Sequence, residues 1–298
     1  MKAGSVSLIG RPNAGKSTLL NRFVGQKVAI VSDKPQTTRH RILGVRNVPG
    51  GQMAFIDTPG IHKPMHRMNR RMVDAALDTL REVDVAVLLV DVTVAPGAGD
   101  RFVLDLLQRE KVATVLALNK VDAIKKIRLL PLIDQYSKSM TFKALVPISA
   151  LTGEGVDGLE REILAALPEG DPAYPDDYLT DQTQRTLAAE LIREKVLAHT
   201  HDELPYTTAV VIEQFEEPTA EVGLTRIFAS ILVDRESQKP IVVGAGGEMI
   251  KRIGTEARRD LEEMLGCRVY LDLHVKVRAD WRDDERLLDE IGLGRQRS

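Results

Sequence analysis

The chain is short of the features that mark a disulfide-bonded, metal-clustered or membrane-spanning protein. Among 298 residues there is one cysteine, Cys267, which excludes an internal disulfide and a cysteine metal cluster; beside an apolar pattern it reads as a small core residue. The longest unbroken apolar run, Val85 to Val90, falls far short of the ~18 residues that cross a bilayer. Met1 to Pro12 has no signal-like apolar core. Repeats and low-complexity tracts are missing too. These absences predict a soluble, cytoplasmic protein. What is present is an ordinary globular composition, 43% hydrophobic and 28% charged, in a length that suits one large or two modest domains.

Apolar β-type runs at Val6–Ile9, Arg41–Asn47, Gln52–Asp57, Val83–Asp91, Val112–Asn119 and Phe142–Ser149 alternate with helical stretches near 16–24, 68–82, 98–109, 127–139 and 158–167. That rhythm predicts an α/β fold, a mostly parallel sheet wrapped by helices, with ligands at the carboxyl ends of its strands. The stretch PEGDPAYP, Pro168 to Pro175, has three prolines and no apolar period and reads as an extended linker. It predicts two domains, 1–174 and 175–298, the second starting its own structure near Asp181. They differ in charge: 24 Lys and Arg against 18 Asp and Glu in the first, 17 against 25 in the second, or +6 and −8 for the net −2.

GRPNAGKST, residues 10–18, follows the first strand. Gly10, Gly15, Lys16 and Ser17 fit a phosphate loop, whose backbone N–H groups curl around a β-phosphate at a helix N-terminus. Asn13, Ala14 and Thr18 belong to the same binding segment. Lys16 is placed to reach the β- and γ-phosphates and Ser17 to hold Mg²⁺. Alone, the motif also fits a Gly-rich turn that binds nothing. DTPG, Asp57 to Gly60, ends another apolar strand. Asp57 there can hold a Mg²⁺-bound water and Gly60 can offer its N–H to a γ-phosphate, although a simple turn favours the same residues. NKVD, Asn119-Lys120-Val121-Asp122, discriminates more sharply. Guanine presents N1–H and N2–H₂ side by side, which one carboxylate, Asp122, accepts together; adenine would leave it unpaired, at a cost of about 1–3 kcal/mol. SAL, Ser149-Ala150-Leu151, closes a further strand and can offer the Ala150 N–H to guanine O6. Four such elements in order, each at a strand end, predict a site for GTP or GDP with Mg²⁺.

Ile61 stands where several GTPase families place a glutamine that orients the attacking water, so catalysis must draw on backbone groups, a monovalent cation or a partner. Asn13 has two readings: its amide oxygen helps place K⁺ against the phosphates, or it braces the loop. DKPQTTRHR, residues 33–41, is polar and reads as a loop that nucleotide orders, with Thr38 rather than Thr37 as a Mg²⁺ ligand. The candidate catalytic set is therefore Lys16, Thr38, Gly60 and Asn13, and the metal set Ser17, Thr38 and Asp57. After DTPG come His62, Lys63, His66, Arg67, Arg70 and Arg71. With no third ligand near the two histidines, this is a solvated basic face rather than a metal site.

In the second domain PIVVGAGGEMIKRIG, residues 240–254, places Gly244-Ala245-Gly246-Gly247 before a helical run. This suits the GxxG loop of a K-homology (KH) domain, which lets backbone approach single-stranded nucleic acid. The surrounding order is helix 181–203, strands 207–216 and 224–234, helices flanking GxxG up to Leu265, then strand 268–277. That is the bacterial, type II arrangement, an α+β domain smaller than the first. Ala245 stands where such loops usually carry a basic residue, and the domain is acidic, so contact must rest on Lys239, Lys251, Arg252, Arg258 and Arg259 with Val243 and Ile250 as apolar groove residues. Trp281 either stacks on a base or packs in the core. Asp283 to Arg286 reads as a solvated helix start.

Taken together, GRPNAGKST, PQTTRHR, DTPGIHKP, NKVD, SAL, the GxxG segment and the terminal WRDDER resemble the Era family of bacterial ribosome-assembly GTPases over nearly the whole chain. The resemblance implies a P-loop GTPase domain and a KH domain that binds 16S ribosomal RNA near its 3′ end and aids maturation of the small (30S) subunit. It further implies a loose association with the inner membrane, and no DNA partner is expected. Two rival readings are a signalling GTPase whose second domain binds protein or membrane, and an RNA-binding protein with a degenerate nucleotide site. The GxxG context argues against the first, and intact Lys16, Asp57 and Asp122 against the second.

Overall fold

The computed structural model describes residues 1–34, 37–60, 67–218, 223–289 and 291, with the side chains of 67, 69, 70, 73 and 75 outside the description. The chain divides into two compact units after Asp181.

In the first unit the elements run β1 (Lys2–Gly10), α1 (Lys16–Val24), β2 (Ile42–Val48), β3 (Gly51–Asp57), α2 (Arg67–Glu82), β4 (Val85–Asp91), α3 (Ala98–Glu110), β5 (Ala113–Asn119), α4 (Leu129–Ser137), β6 (Ala144–Ile148) and α5 (Val156–Ala166). The sheet order is β2-β3-β1-β4-β5-β6. All pairs are parallel except the β2–β3 hairpin. Strands covered by helices on both faces read as continuous apolar runs; β3 is buried at every residue and β4 at all but its last. On α1, Leu19, Leu20, Phe23 and Val24 are buried, a helical stripe that stacks Phe23 on Phe55 at 4.3 Å. The register sets Leu8 beside Asp57, Asp91 beside Asn119 and Asn119 beside Ile148. This alignment brings the carboxyl ends of five parallel strands, β1, β3, β4, β5 and β6, to one edge.

The linker corrects the expected boundary at 174. Residues 168–181 are bonded to the first unit. Gly170 N donates to Met1 O (2.8 Å), Val45 N to Leu179 O (2.8 Å), the Thr180 hydroxyl to Leu43 O (2.6 Å) and Leu43 N to the Asp181 carboxylate (3.2 Å). Tyr174 and Tyr178 stack at 5.1 Å against Leu43, Val45, Ala54 and Ile56. The cause is β2, the sheet's edge strand, whose unpaired N–H and C=O groups need cover; proline content signals an extended chain but not the edge it protects.

The second unit holds α6 (Gln184–His199), α7 (Leu204–Thr207), β7 (Ala209–Glu216), β8 (Leu224–Val233), α8 (Lys239–Val243), α9 (Glu248–Leu265), β9 (Arg268–Val277) and α10 (Glu285–Leu288). Its sheet runs β7-β8-β9, the first pair antiparallel and the second parallel. One core joins α6, α8 and α9 to one face of this sheet through Ile192, Val242, Ile253, Ala257, Ile227, Ala229 and Val269, among others. Trp281 is fully buried and donates its indole N–H to Thr207 O at 2.8 Å, which removes it as a base-stacking platform. Cys267 is half-buried beside the Thr225 hydroxyl rather than in the core, because it sits in the turn just before β9. Asp284 caps α10 by accepting the N–H groups of Arg286 and Leu287. Among the described residues no helix is long and apolar enough to cross a membrane.

Candidate functional site

The aligned strand ends open on a cavity of about 710 Å³ lined by Asn13, Gly15 to Thr18, Thr38, Gly60, Asn119, Lys120, Asp122 and Ser149 to Leu151. Backbone geometry fixes the phosphate loop. Gly15 has φ +96° and Asn13 φ +63°, a left-handed region open to glycine and tolerated by asparagine. A Cβ on Gly10 would stand 2.5 Å from Leu89 O, so Gly10 serves by close strand packing and does not line the cavity. Ala14 is buried and gives its carbonyl to the Asn119 amide at 2.7 Å, while the Asn119 oxygen accepts the Ala150 N–H at 2.9 Å. One asparagine thus ties the phosphate loop to the SAL loop.

Lys16 is buried, its ammonium 3.3 and 3.2 Å from the carbonyls of Gly10 and Arg11. Burial pushes its pKa down, with Asp57 opposing. Asp57 is wholly buried at the end of β3. It accepts hydrogen bonds from Ser17 Oγ (2.7 Å) and Thr38 Oγ1 (3.1 Å), and the two hydroxyls lie 2.8 Å apart. Burial pushes its carboxyl up, against the pull of Lys16, Ser17, Thr38 and His40. Its other oxygen, Oδ1, is buried with no hydrogen-bond partner among the described residues. Two hydroxyls and a carboxylate with one orphaned oxygen form a hard, oxygen-only donor set that fits Mg²⁺, which is bound through one or two carboxylates with phosphates and retained waters. Thr37 turns its hydroxyl to Lys34 O at 2.6 Å, away from this cluster. Asn13 gives its amide N–H to Asp33 O, which leaves its oxygen as the atom facing other partners.

Also on the cavity wall, Asp122 is exposed and makes no hydrogen bond among the described residues. Lys120, in left-handed conformation at φ +71°, holds Asp91 Oδ2 at 2.5 Å. Burial raises the Asp91 pKa, but hydrogen bonds from Lys120 and Thr93 outweigh it and leave the carboxyl below its ordinary range. Sequence reasoning missed Asp91, and with it the Arg11–Asp100 pair at 3.0 Å on the cavity wall. The signal for Asp91 was present, since it ends the run VAVLLVD as Asp57 and Asn119 end theirs. Ile61, His62, Lys63 and His66, and the side chains of Arg67 and Arg70, lie outside the described residues; Arg71 is half-buried on α2.

In the second unit a groove of about 650 Å³ runs between α9 and β9, lined by Ile250, Lys251, Thr255, Arg258, Tyr270 and Leu273, among others. Gly244, Gly246 and Gly247 all have positive φ, and a Cβ at Gly246 or Gly247 would meet nothing within 4 Å. The loop therefore needs glycine for conformation and leaves open space above its backbone. Of the residues expected on RNA, Ile250 and Lys251 line the groove, as does Arg258. Ala245 is exposed in the loop, Val243 packs against the core, and Arg252 pairs with Glu256 at 3.2 Å outside the groove.

Comparison with known proteins agrees with this division. A family described as 50S ribosome-binding GTPase matches residues 5–120, and the KH domain family matches 203–282. A crystal structure of an Aquifex aeolicus Era variant bound to GDP·AlF₄⁻ is 40% identical, with a TM-score of 0.94 over 99% of this chain and 100% of that one. A structure of Era in complex with MgGDPNP and nucleotides 1506–1542 of 16S ribosomal RNA is 41% identical, with the same TM-score and coverage. GTPase Era of Geotalea uraniireducens is 49% identical and that of Geobacter metallireducens 50% identical, each over 98% of this chain and 97% of the relative. A glycine-rich loop at the start of α1, a GxxG loop before α9 and this likeness along its whole length make the chain a member of the Era family of GTPases.

Proposed function

We propose that this chain binds GTP with Mg²⁺, hydrolyses it to GDP and phosphate, and uses the nucleotide to time its binding to 16S ribosomal RNA near the 3′ end during maturation of the small subunit. The observation that carries the nucleotide half is the convergence of four strand-end loops on one cavity, lined by Ser17 and Thr38, which both bond to the buried Asp57 with its orphaned Oδ1, and by the exposed Asp122. Lys16 and the loop N–H groups hold the phosphates, Gly60 N–H meets the γ-phosphate, and Asp122 with Ala150 N–H reads guanine. Ser17, Thr38 and Asp57 hold Mg²⁺, which supplies charge neutralisation on the phosphates when bound. A side chain at Ile61 cannot orient water, so that task falls to backbone groups and to a K⁺ ion placed by the Asn13 oxygen.

The RNA half rests on the GxxG groove and on the relative seen with nucleotides 1506–1542 of 16S ribosomal RNA. Lys251 and Arg258 meet phosphates, and Ile250 and Leu273 pack against bases. On this reading the protein acts in the cytoplasm, with a loose peripheral contact at the inner membrane; among its described residues no helix is long and apolar enough to cross a membrane. Gly247→Asp puts a charged side chain into the open space over the loop. In filter binding with the 1506–1542 RNA it should abolish specific binding while basal GTP hydrolysis stays unchanged. Equal RNA binding by variant and parent would remove the groove from the reading.

A further inference from the structure

The sheet of the second unit has one face against its helices; of the opposite face, Ser230 and Leu232 on β8 are buried, whereas the end that carries Arg226 and Tyr270 is open. Along β8 and β9, Ile227, Ala229, Val269 and Val275 enter the core, so by strand alternation their neighbours occupy the opposite face. There Arg226 stands opposite Tyr270 in the register, and Arg268 and Phe228 flank that pair on the two strands. The Phe228 and Tyr270 rings lie 5.9 Å apart at 58°. Tyr270 is 49% exposed. Because β9 is the edge strand, Tyr270 and Arg268 also line the groove, which makes the open face continuous with it. Farther along this face charges are matched: Glu213 takes Lys276 and the Ser230 hydroxyl, and Asp272 stands 3.5 Å from His274. Glu216 approaches Arg226 only to 4.0 Å, and Arg268 has no ion pair among the described residues.

The geometry points to Arg226, Phe228, Arg268 and Tyr270 as a second RNA-contacting surface, on which a single strand leaving the groove over β9 stacks its next bases and lays its phosphates. This rests on the RNA reading of the groove. A GxxG groove clamps about four nucleotides, so a longer single strand continues past its lip. Aromatic rings and guanidinium planes accept any base by stacking. Two of each, with an unpaired positive charge at the lip, match a polyanion of flat bases better than an apolar protein partner.

The test uses the full chain and the 1506–1542 RNA, with Kd measured by fluorescence anisotropy. Arg226 and Phe228 do not line the groove, so Arg226→Gln combined with Phe228→Leu reports on the face alone. Loss of one stacked base and one phosphate contact should weaken binding about tenfold or more, with melting temperature and GTP hydrolysis unchanged. Tyr270→Leu should match that loss and Tyr270→Phe should restore parental binding within about twofold, which a purely structural role would not require. Parental affinity in the double variant overturns the proposal. Gly247→Asp separates the two ideas: if it abolishes binding while the double variant binds as the parent does, the groove reading stands and the face falls, whereas normal binding by Gly247→Asp overturns the groove reading and with it the path of the strand onto the face. If the parent binds no RNA, both fall.

Discussion

Two carboxylates at strand ends do different work because their surroundings differ. Asp57 is wholly buried among two hydroxyls and Lys16, where a free oxygen is tolerable only beside a cation. Asp122 is exposed on the cavity wall, where water makes an unpaired carboxylate inexpensive, and on the proposed reading it accepts guanine. Asp122→Asn should therefore lose GTP affinity and gain affinity for xanthosine triphosphate, whose O2 accepts a hydrogen bond. Titration calorimetry showing equal GTP binding would take Asp122 out of the site. For Asn13, hydrolysis should run faster in K⁺ than in Na⁺ at equal ionic strength. Asn13→Ala should erase that difference and keep nucleotide binding, whereas a parental rate indifferent to the cation would leave Asn13 as a brace, bonded to Asp33 O.

At the scale of elements, one buried side chain fastens the linker to the sheet. Gln52 on β3 is 2% exposed. Its oxygen accepts the N–H groups of Ala173 (2.8 Å) and Tyr174 (3.0 Å), and its nitrogen donates to Tyr174 O (2.7 Å) and Asn47 Oδ1 (2.8 Å). Gln52→Ala strands these backbone groups, at a cost of about 1–3 kcal/mol for the first left unsatisfied. Urea unfolding should show that loss, and limited proteolysis should cut between 168 and 181 faster than in the parent. Unchanged cleavage would mean that the Tyr174–Tyr178 stack over β2 holds the linker without Gln52. The fastening bears on function because Leu43, bonded to Thr180 and Asp181, is one residue from Ile42, the register partner of Asp57.

Across the whole molecule, a basic half carries the nucleotide site and an acidic half the RNA groove. The acidic domain still offers cations locally at Lys251, Arg258 and Arg268, so sign of net charge does not decide where RNA binds. If nucleotide times RNA binding, the 1506–1542 RNA should show different dissociation constants with GDP and with a non-hydrolysable GTP analogue. Linkage then requires that RNA change the ratio of the two nucleotides' affinities by the same factor. Anisotropy titrations run in both directions check this, and identical RNA constants in the two nucleotide states would sink the switch while leaving both binding sites intact.

The sequence by itself determined the two folds and the nucleotide chemistry, because both depend on local patterns. Apolar runs of strand length, glycines at fixed spacing, and short polar motifs directly after strands specify loops that can serve only one edge of a parallel sheet. The GxxG order did the same for the second unit. Tertiary structure decided what depends on which surfaces meet. Trp281 entered the core because Thr207 O lay within reach of its indole N–H, residues 175–181 joined the first unit because β2 had a bare edge, and Asp91 joined the cavity because Lys120 turned back to it through a left-handed residue. Arg252 left the groove for Glu256 one helical turn on. No spacing rule encodes such choices, since each is a competition among partners brought together only when the chain has folded.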